Sequence, residues 1–239
     1  TTKHHPNVIR RDLILHKQNL KMPLHRISEL DNGYLLGLWR ITEQPEDLVQ
    51  IARLPSEELN FYQRLNNHQR KLHWLAWRAL LKDMVNKPYL EIDYTANGKP
   101  FIRNVSLQIS VSHSGPWAAC MTHPSQPTGV DVEAIRPRIL KVKERFLSDK
   151  ELQWHDSYLN NLRHLILLWC IKEAIYKFAD ISGLDFRNQI SIPPFISLTQ
   201  GQVLCELQPT HNHSTKILIK YENIDSEHVM AHVAESKSV

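Results

Sequence analysis

The stretch Thr128-Gly-Val-Asp-Val-Glu133 (TGVDVE) combines strand-forming and acidic residues in strict alternation. Side chains of a strand alternate between two faces, so Asp131 and Glu133 point one way while Val130 and Val132 point into the core. Two carboxylates ~7 Å apart on one strand face repel each other unless a cation lies between them. Such hard oxygen ligands suit Mg²⁺, which usually takes one or two carboxylates together with substrate phosphate oxygens. The alternative is a solvent-facing polar side of an edge strand.

A second stretch, Leu165–Phe178, is apolar nearly all round when it is plotted as a helix, which predicts a buried helix. Glu173 lies between Trp169 and Lys177 on one face of this helix. A buried carboxylate without a partner is very costly, so Glu173 needs a cation nearby. Lys177, four residues on, is one candidate, and a plain helical ion pair is the structural alternative. The functional interpretation is that Glu173 completes a metal site while Lys177 meets a phosphate.

Two further segments present donors suited to an anion. Gly98-Lys-Pro100 is a turn that presents Lys99, and Ser112-His-Ser114 is a strand end that presents Ser112 and His113. Each signal is weak alone, because Gly-Lys-Pro occurs in many loops and a lone histidine usually has no special role.

Bulk properties narrow the class of protein. A chain of 239 residues fits one large domain or two packed lobes. The net charge of +4 suits an anionic ligand or an acidic protein partner, and it is too small to argue for nucleic acid. The three cysteines form no C-x-x-C pair, and no apolar run approaches ~18 residues. We therefore expect a reducing, cytoplasmic setting without a membrane span.

The order of elements predicts an α+β protein with antiparallel sheets. A helical pattern runs from Ser56 to Val85, with a break at Asn66-Asn67, and a second long helix is predicted over Leu162–Phe178. Strands are predicted at Leu13–Leu15, Tyr34–Ile41, Leu90–Tyr94, Pro100–Ile102, Leu107–Ser112, Trp117–Thr122, Gly129–Glu133, Ile196–Leu198, Val203–Leu207, Lys216–Tyr221 and His228–Ala234.

Six motifs in register resemble the 4'-phosphopantetheinyl transferase superfamily, in its Sfp-type form. Its hallmarks are G-(I/V)-D-(V/I)-E and, some forty residues later, W-x-x-K-E-(A/S)-x-x-K. Here these read TGVDVE and WCIKEAIYK, with RFLSDKE between them and GKP, ISVSHS and RKLHWLAWR upstream. The resemblance covers about residues 54–180. His73 stands where the family often has an acidic residue.

The resemblance implies two similar lobes related by a pseudo-twofold axis, each an antiparallel sheet packed with a long helix. The lobes are expected at residues 1–110 and 111–239, with coenzyme A in the cleft between them. By similarity, Asp131, Glu133 and Glu173 would hold the metal, Mg²⁺ or Mn²⁺. The groups that would contact coenzyme A are Lys177 at its pyrophosphate and Arg70, Arg78, Lys99, Pro100, Ser112 and His113 at its 3'-phosphate and adenosine end. Glu151 would lie near the metal, as a ligand or as the base, and Glu173 is the other candidate base.

The activity implied is holo-acyl-carrier-protein synthase activity: transfer of 4'-phosphopantetheine from coenzyme A to a serine of an apo acyl or peptidyl carrier protein. The carrier would belong to fatty acid, polyketide or nonribosomal peptide biosynthesis, and the enzyme is expected to be a monomer. One alternative is a non-catalytic homologue that binds carrier proteins. Another is a hydrolase that cleaves the pyrophosphate of coenzyme A.

Overall fold

In the computed structural model, the described residues are 25–87, 89–159, 161–210 and 213–238, and they form two sheets that each pack against one long helix. The N-terminal sheet has the order β1-β2-β6-β5, and all its pairings are antiparallel. Its strands are β1 (His25–Glu29), β2 (Leu35–Arg40), β5 (Gln108–Ser114) and β6 (Trp117–His123). A separate hairpin consists of β3 (Ile92–Tyr94) and β4 (Pro100–Ile102).

Three helices accompany the N-terminal sheet: α1 (Pro45–Ala52), α2 (Ser56–Gln63) and α3 (His68–Val85). Asn67 caps α3 by accepting a hydrogen bond from the backbone nitrogen of Arg70, which explains the predicted break between α2 and α3. Gly37 lets α3 approach β2 closely, because a Cβ there would lie 2.5 Å from the Met84 sulfur.

The C-terminal sheet has the order β7-β11-β10-β9-β8, again entirely antiparallel. Its strands are β7 (Val130–Ala134), β8 (Ile190–Ser191), β9 (Gln200–Thr210), β10 (His213–Asn223) and β11 (His228–Ser238). Its helices are α4 (Lys143–Phe146), α5 (Asp149–Trp154), α6 (Leu162–Ala179) and α7 (Phe186–Gln189). Helix α6 is capped by Asn161 and buried on most sides, as its apolar sequence predicts.

The α+β class and the two sheet-and-helix units are confirmed; the pseudo-twofold relation between them stays a prediction. The predicted boundary after residue 110 cuts through β5, because β5 and β6 complete the N-terminal sheet. The two sheets therefore divide between His123 and Val130. The predicted strand Ile196–Leu198 is wrong: this segment follows Pro193-Pro194 as an exposed loop. The prediction for Leu13–Leu15 lies outside the described residues.

The edge strands β5 and β7 face each other where the two sheets meet. Side chains of β7 alternate as predicted: Val130 and Val132 enter an apolar layer between the sheets, which also contains Leu38 and Met121 of the N-terminal sheet. Among the described residues, no helix has the length and apolarity that a membrane span needs.

Candidate active site at the seam between the two sheets

Asp131 is the most enclosed of the three predicted carboxylates. It is 3% exposed, so the solvent-facing alternative is wrong for this residue. Its Oδ1 accepts hydrogen bonds from the Ser112 hydroxyl and from Lys177 Nζ, both at 2.7 Å. Its Oδ2 is buried and has no hydrogen-bond partner. A buried carboxylate oxygen left without a donor is costly, so this atom is the clearest mark of a missing ligand.

Glu133, two residues further along β7, is contacted by helix α6 and by strand β5 of the N-terminal sheet. Its Oε1 accepts a hydrogen bond from Trp169 Nε1 of α6 at 3.0 Å, and its Oε2 lies 3.4 Å from the Ser114 hydroxyl of β5. Burial and then the charge of Asp131 raise the pKa of Glu133. The two carboxylates therefore repel each other, as the strand spacing predicts.

Glu173 and Lys177 complete the cluster from α6. Burial and then the negative charge of Asp131 raise the pKa of Glu173 to about 7. Lys177 pairs with Asp131 and also donates to the carbonyl of Val130 at 3.2 Å. Burial lowers the pKa of Lys177, but Asp131 and Glu173 outweigh burial, and the net pKa is raised. Lys177 thus joins α6 to β7, which the helical-pair alternative does not describe.

The close approach of α6 to β7 depends on Gly129. A Cβ at this position would lie 2.1 Å from the backbone oxygen of Ala174 and 2.8 Å from Phe178 Cβ. Neither backbone nor a packed Cβ gives way cheaply, so only glycine allows this contact. Because Glu173 precedes Ala174 on α6 and Asp131 follows Gly129 by two residues, the contact brings the carboxylates of the two elements together.

The donor types of these residues suit a divalent cation. The three carboxylates are hard oxygen donors. The pKa values of Glu133 and Glu173 are raised by burial and by neighbouring carboxylates. The Oδ2 of Asp131 is the oxygen without a hydrogen-bond partner. Across the described ranges, no group of three or more acidic, histidine or cysteine side chains is arranged so that it could hold a metal ion. In this arrangement Lys177 is bound to one oxygen of Asp131, and a metal at these carboxylates stays a prediction.

The anion-binding groups predicted from the N-terminal half reach the same seam. Lys99, from the β3–β4 turn, donates to the carbonyl of Lys177 at 3.2 Å and lies 3.5 Å from Asp180 at the end of α6. His113 stacks on His73 with ring centroids 4.3 Å apart. Loss of water around the ring, then the neighbouring His73 and Lys177, lower the pKa of His113 to about 4, so its ring is neutral at neutral pH.

The two arginines predicted on α3 have different environments. Arg70 is exposed in the first turn of the helix, where it remains accessible to an anion. Arg78 is 4% exposed and is bound to Glu58 at 3.0 Å, with its guanidinium 3.4 Å from the centroid of the Trp74 ring. This geometry favours Arg70 over Arg78 as a phosphate contact, because the guanidinium of Arg78 is buried and already paired with Glu58 and Trp74.

Ser112 and Pro100 also differ from the predicted phosphate contacts. Ser112 is buried, and its hydroxyl is turned toward Asp131. Pro100 opens β4 and has no donor to offer an anion, so its contribution is to the shape of the turn that presents Lys99.

Glu151 is buried and its carboxylate is fully hydrogen-bonded within the C-terminal unit. It is 2% exposed and forms the capping box of α5 with Ser148. Its Oε2 binds Lys172 Nζ at 2.7 Å, and its Oε1 accepts from the backbone nitrogen of Ile192 at 2.9 Å. Since both oxygens already have donors, the geometry does not favour Glu151 as a metal ligand or as a base.

Sequence reasoning missed the groups that support the carboxylates. The sequence places Trp169 in a motif and on the helix face of Glu173, but it does not indicate that its indole donates to Glu133. It also does not indicate that Ser110 and Ser114 contact the C-terminal sheet. The signal was present in Ile109-Ser-Val-Ser-His-Ser114, where serine occupies every second position of a predicted strand. Such alternation predicts a polar strand face, and here that face meets β7.

The fold and the site define a class: α+β proteins in which two sheet-and-helix units gather carboxylates and basic groups at their seam. The family model of the 4'-phosphopantetheinyl transferase superfamily matches residues 127–233, which confirms the resemblance that the motifs carry. The relatives that the chain resembles include the 4'-phosphopantetheinyl transferase Sfp, in agreement with the Sfp-type resemblance.

Three relatives show the extent of the similarity. The 4'-phosphopantetheinyl transferase gsp of Aneurinibacillus migulanus is 30% identical over 115 residues, which are 43% of this chain and 48% of the relative. HetI of Nostoc sp. is 27% identical over 198 residues, 73% of this chain and 83% of the relative. Sfp of Bacillus subtilis is 28% identical over 181 residues, 72% of this chain and 75% of the relative. The chain thus spans about half the length of the first of these relatives and three quarters or more of the other two.

Proposed function

We propose that this protein transfers the 4'-phosphopantetheine group of coenzyme A to a serine of an apo acyl or peptidyl carrier protein, with Mg²⁺ and with release of adenosine 3',5'-bisphosphate. One observation carries the proposal: the buried, unpartnered Oδ2 of Asp131 lies in a cluster with Glu133, Glu173 and Lys177. The names of the relatives, all of them 4'-phosphopantetheinyl transferases, support the same reaction.

Asp131, Glu133 and Glu173 would hold the metal, because their oxygens supply the hard ligands that Mg²⁺ or Mn²⁺ prefers. When bound, the ion would neutralise charge on the pyrophosphate of coenzyme A. Lys177 would neutralise a further part of the negative charge on the pyrophosphate. Its side chain is a quarter exposed, and its Asp131 contact would be exchanged for a phosphate oxygen.

Lys99, Arg70 and His113 would bind the other phosphate of coenzyme A. Lys99 reaches from the N-terminal hairpin to the end of α6. Coenzyme A bound at one phosphate by Lys99 and at its pyrophosphate by Lys177 would therefore contact both sheet-and-helix units. A neutral His113 accepts or donates one hydrogen bond, and an arriving phosphate would raise its pKa by opposing the present lowering.

In the reaction, the hydroxyl oxygen of the carrier serine forms a bond to the β-phosphorus of coenzyme A. The bond from that phosphorus to the bridging oxygen breaks, and adenosine 3',5'-bisphosphate leaves with the electron pair. Glu173 is the proposed acceptor of the serine proton. It is preferred over Glu151 because both oxygens of Glu151 already have donors within the C-terminal unit.

The carrier would approach over the segment that follows β7. This segment, Pro137–Lys141, exposes Arg138 and Lys141 together with Leu140, which is 50% exposed. A basic surface around one apolar side chain suits an acidic partner surface with an apolar spot. The contact would place the partner next to the strand that carries Asp131 and Glu133.

The test is the intact mass of an apo acyl carrier protein after incubation with this protein, coenzyme A and Mg²⁺, with an EDTA control. We expect a mass gain of one phosphopantetheine group that EDTA prevents. Absence of any gain with several carriers, while coenzyme A still binds, would contradict the transferase proposal and favour the non-catalytic homologue.

A parallel reaction without carrier separates the hydrolase alternative. Free phosphopantetheine would accumulate in that reaction if the protein were a pyrophosphate hydrolase. A transferase needs the carrier serine to accept the group, so we expect coenzyme A to remain intact over the same period.

A further inference from the structure

Strands β5 and β7 are joined through three serine side chains of β5, which take the place of backbone-to-backbone hydrogen bonds. Their hydroxyl oxygens accept hydrogen bonds from successive backbone nitrogens of β7, every second residue. These bonds run from Val130 to Ser110 at 3.1 Å, from Val132 to Ser112 at 3.2 Å, and from Ala134 to Ser114 at 3.0 Å. We call these three residues the seam serines.

Two of the seam serines also face a carboxylate. The residue that precedes each bonded nitrogen is Asp131 for Ser112 and Glu133 for Ser114. The Ser112 hydroxyl donates to Asp131 at 2.7 Å, and the Ser114 hydroxyl lies 3.4 Å from Glu133. Ser110 has the same backbone contact, but the corresponding position on β7 is Gly129, which offers no carboxylate.

This arrangement directs the single proton of the hydroxyl. A serine hydroxyl has one donor and two acceptor positions. Since one acceptor position of Ser112 is filled by the Val132 nitrogen, the proton is held toward Asp131 Oδ1. Lys177 donates a second hydrogen bond to the same oxygen, Oδ1 of Asp131. Oδ1 is therefore saturated, and Oδ2 is the atom left for a ligand.

We propose that Ser112 is a positioning residue that orients Asp131 for a divalent cation, and that Ser114 acts in the same way, more weakly, on Glu133. The proposal rests on the proposed function only in that a divalent cation binds these carboxylates. It assigns Ser112 a role at the metal carboxylate instead of at the 3'-phosphate. The hydroxyl comes from the N-terminal sheet and the carboxylate from the C-terminal sheet, so the junction between the sheets is part of the metal site.

Ser110→Ala is a matched control for Ser112→Ala. Both serines are buried, at 2% and 7% exposure, and both variants lose one acceptor for a β7 backbone nitrogen. Only Ser112→Ala also loses a donor to Asp131. A purely structural role of the seam serines would therefore affect the two variants alike, and thermal unfolding followed by circular dichroism measures that shared part.

The decisive measurement is Mn²⁺ binding, followed by the loss of the free-ion electron paramagnetic resonance signal as Mn²⁺ is titrated into the full chain. Groups that orient metal ligands usually contribute 10- to 100-fold to metal affinity, so we expect Ser112→Ala to raise the Kd about 10-fold or more. Ser110→Ala should leave the Kd near that of the original chain. Ser112→Thr, which keeps a hydroxyl, should recover most of the affinity.

Equal effects of Ser110→Ala and Ser112→Ala on the Mn²⁺ Kd would overturn the proposal. If Ser112→Ala does not fold, Ser114→Ala takes its place, and a Kd no higher than that of Ser110→Ala would overturn it equally. Absence of Mn²⁺ binding by the original chain would remove the metal site and the proposal with it. Transfer to a carrier, measured separately by mass, tests the proposed function independently of this result.

Discussion

Helix α6 contains two lysines that each pair with a buried carboxylate, and the two pairs differ in what surrounds them. Lys172 binds Glu151, and Lys177 binds Asp131, each at 2.7 Å. The lysine of the first pair is fully buried, whereas Lys177 is 26% exposed. The same ion-pair chemistry therefore occurs once in the interior and once at the seam.

The interior pair is saturated. Lys172 has three donors, and it uses them on Glu151, the carbonyl of Phe186 and the carbonyl of Ile190. Glu151 has donors at both oxygens, including the nitrogen of Ile192. Burial lowers the pKa of Lys172, and Glu151 opposes this change. Such a pair holds α5, α6 and the entry to β8 together, and it has no capacity left for a ligand.

The seam pair is unsaturated. Asp131 keeps one buried oxygen without a donor, and Glu173 beside it has a raised pKa because of burial and of Asp131. A fold accepts such a cost where a ligand later removes it. The comparison teaches that the number of unfilled hydrogen-bond positions, and not burial or pairing alone, distinguishes the ion pair proposed to be functional from the structural one.

The largest expected effect is on transfer after substitution in the seam cluster. Asp131→Ala and Glu173→Ala should each reduce kcat/KM for carrier modification by about 10³-fold or more, since each removes a proposed metal ligand. Thermal unfolding should change little, because each substitution also relieves carboxylate repulsion. The control is Glu57→Ala, an exposed carboxylate of α2. Normal turnover in either seam variant would contradict the assignment.

A substitution in the interior pair should act on stability instead. Glu151→Ala leaves Lys172 buried and unpaired, which costs about 3–5 kcal/mol of unfolding free energy. Urea unfolding measures this loss, and the protein that stays folded should keep the transfer rate. If Glu151→Ala kept its stability but lost transfer, Glu151 would act in the reaction. The distinction between the structural pair and the seam pair would then be wrong.

A third test concerns His164, which is buried with both ring nitrogens unpartnered but lies among Trp154, His155 and Phe195. Burial and then the adjacent His155 lower its pKa from 6.5 to about 4. Between these values the unfolded chain binds the proton and the folded chain does not, so stability falls as the pH falls from 6.5 to 4. The loss is on the order of 2–3 kcal/mol.

His164→Phe should remove this acid sensitivity and leave transfer unchanged. Urea unfolding at pH 7.5 and at pH 5 measures the difference for both proteins. An equal acid sensitivity in the variant would show that another group titrates. If His164→Phe lost transfer, ring nitrogens without hydrogen-bond partners in an apolar setting would also contribute to function. That result would contradict the conclusion drawn from the two lysine pairs.

The smallest expected effect is at Lys99. Lys99→Ala should raise the KM for coenzyme A roughly 3- to 10-fold with little change in kcat, because Lys99 must leave the end of α6 to meet an anion. Lys150→Ala, an exposed lysine of α5, is the control. An unchanged KM would leave Lys99 as a structural contact between the hairpin and α6.

The sequence predicted the elements that follow from local periodicity. Alternation placed Val130 and Val132 in a core, and the all-round apolar pattern placed α6 in the interior. It did not predict Ile196–Leu198 correctly, because a short apolar run in a loop looks like a strand. The sequence also did not predict that β5 and β6 pair with β2, since which strands share a sheet depends on long-range pairing that no local pattern records.

At the site, the motifs identified the carboxylates but not their contacts. Asp131 and Glu151 are both acidic residues in family motifs. Only the folded structure shows that both oxygens of Glu151 accept hydrogen bonds while Oδ2 of Asp131 accepts none. Arg78 is a plausible anion contact by residue type, but its contacts with Glu58 and Trp74 depend on the packing of α2 against α3, which no local pattern records.

Gly129 has a consequence for redesign of this protein. The spacing between the strand that carries Asp131 and the helix that carries Glu173 is set by main chain against main chain, where a Cβ would lie 2.1 Å from a carbonyl oxygen. The separation of the carboxylates in the proposed cation site is therefore set by main-chain packing outside the ligands themselves. A methyl group at residue 129 would move β7 away from α6, and exchanging aspartate for glutamate among the proposed ligands would not reverse that shift.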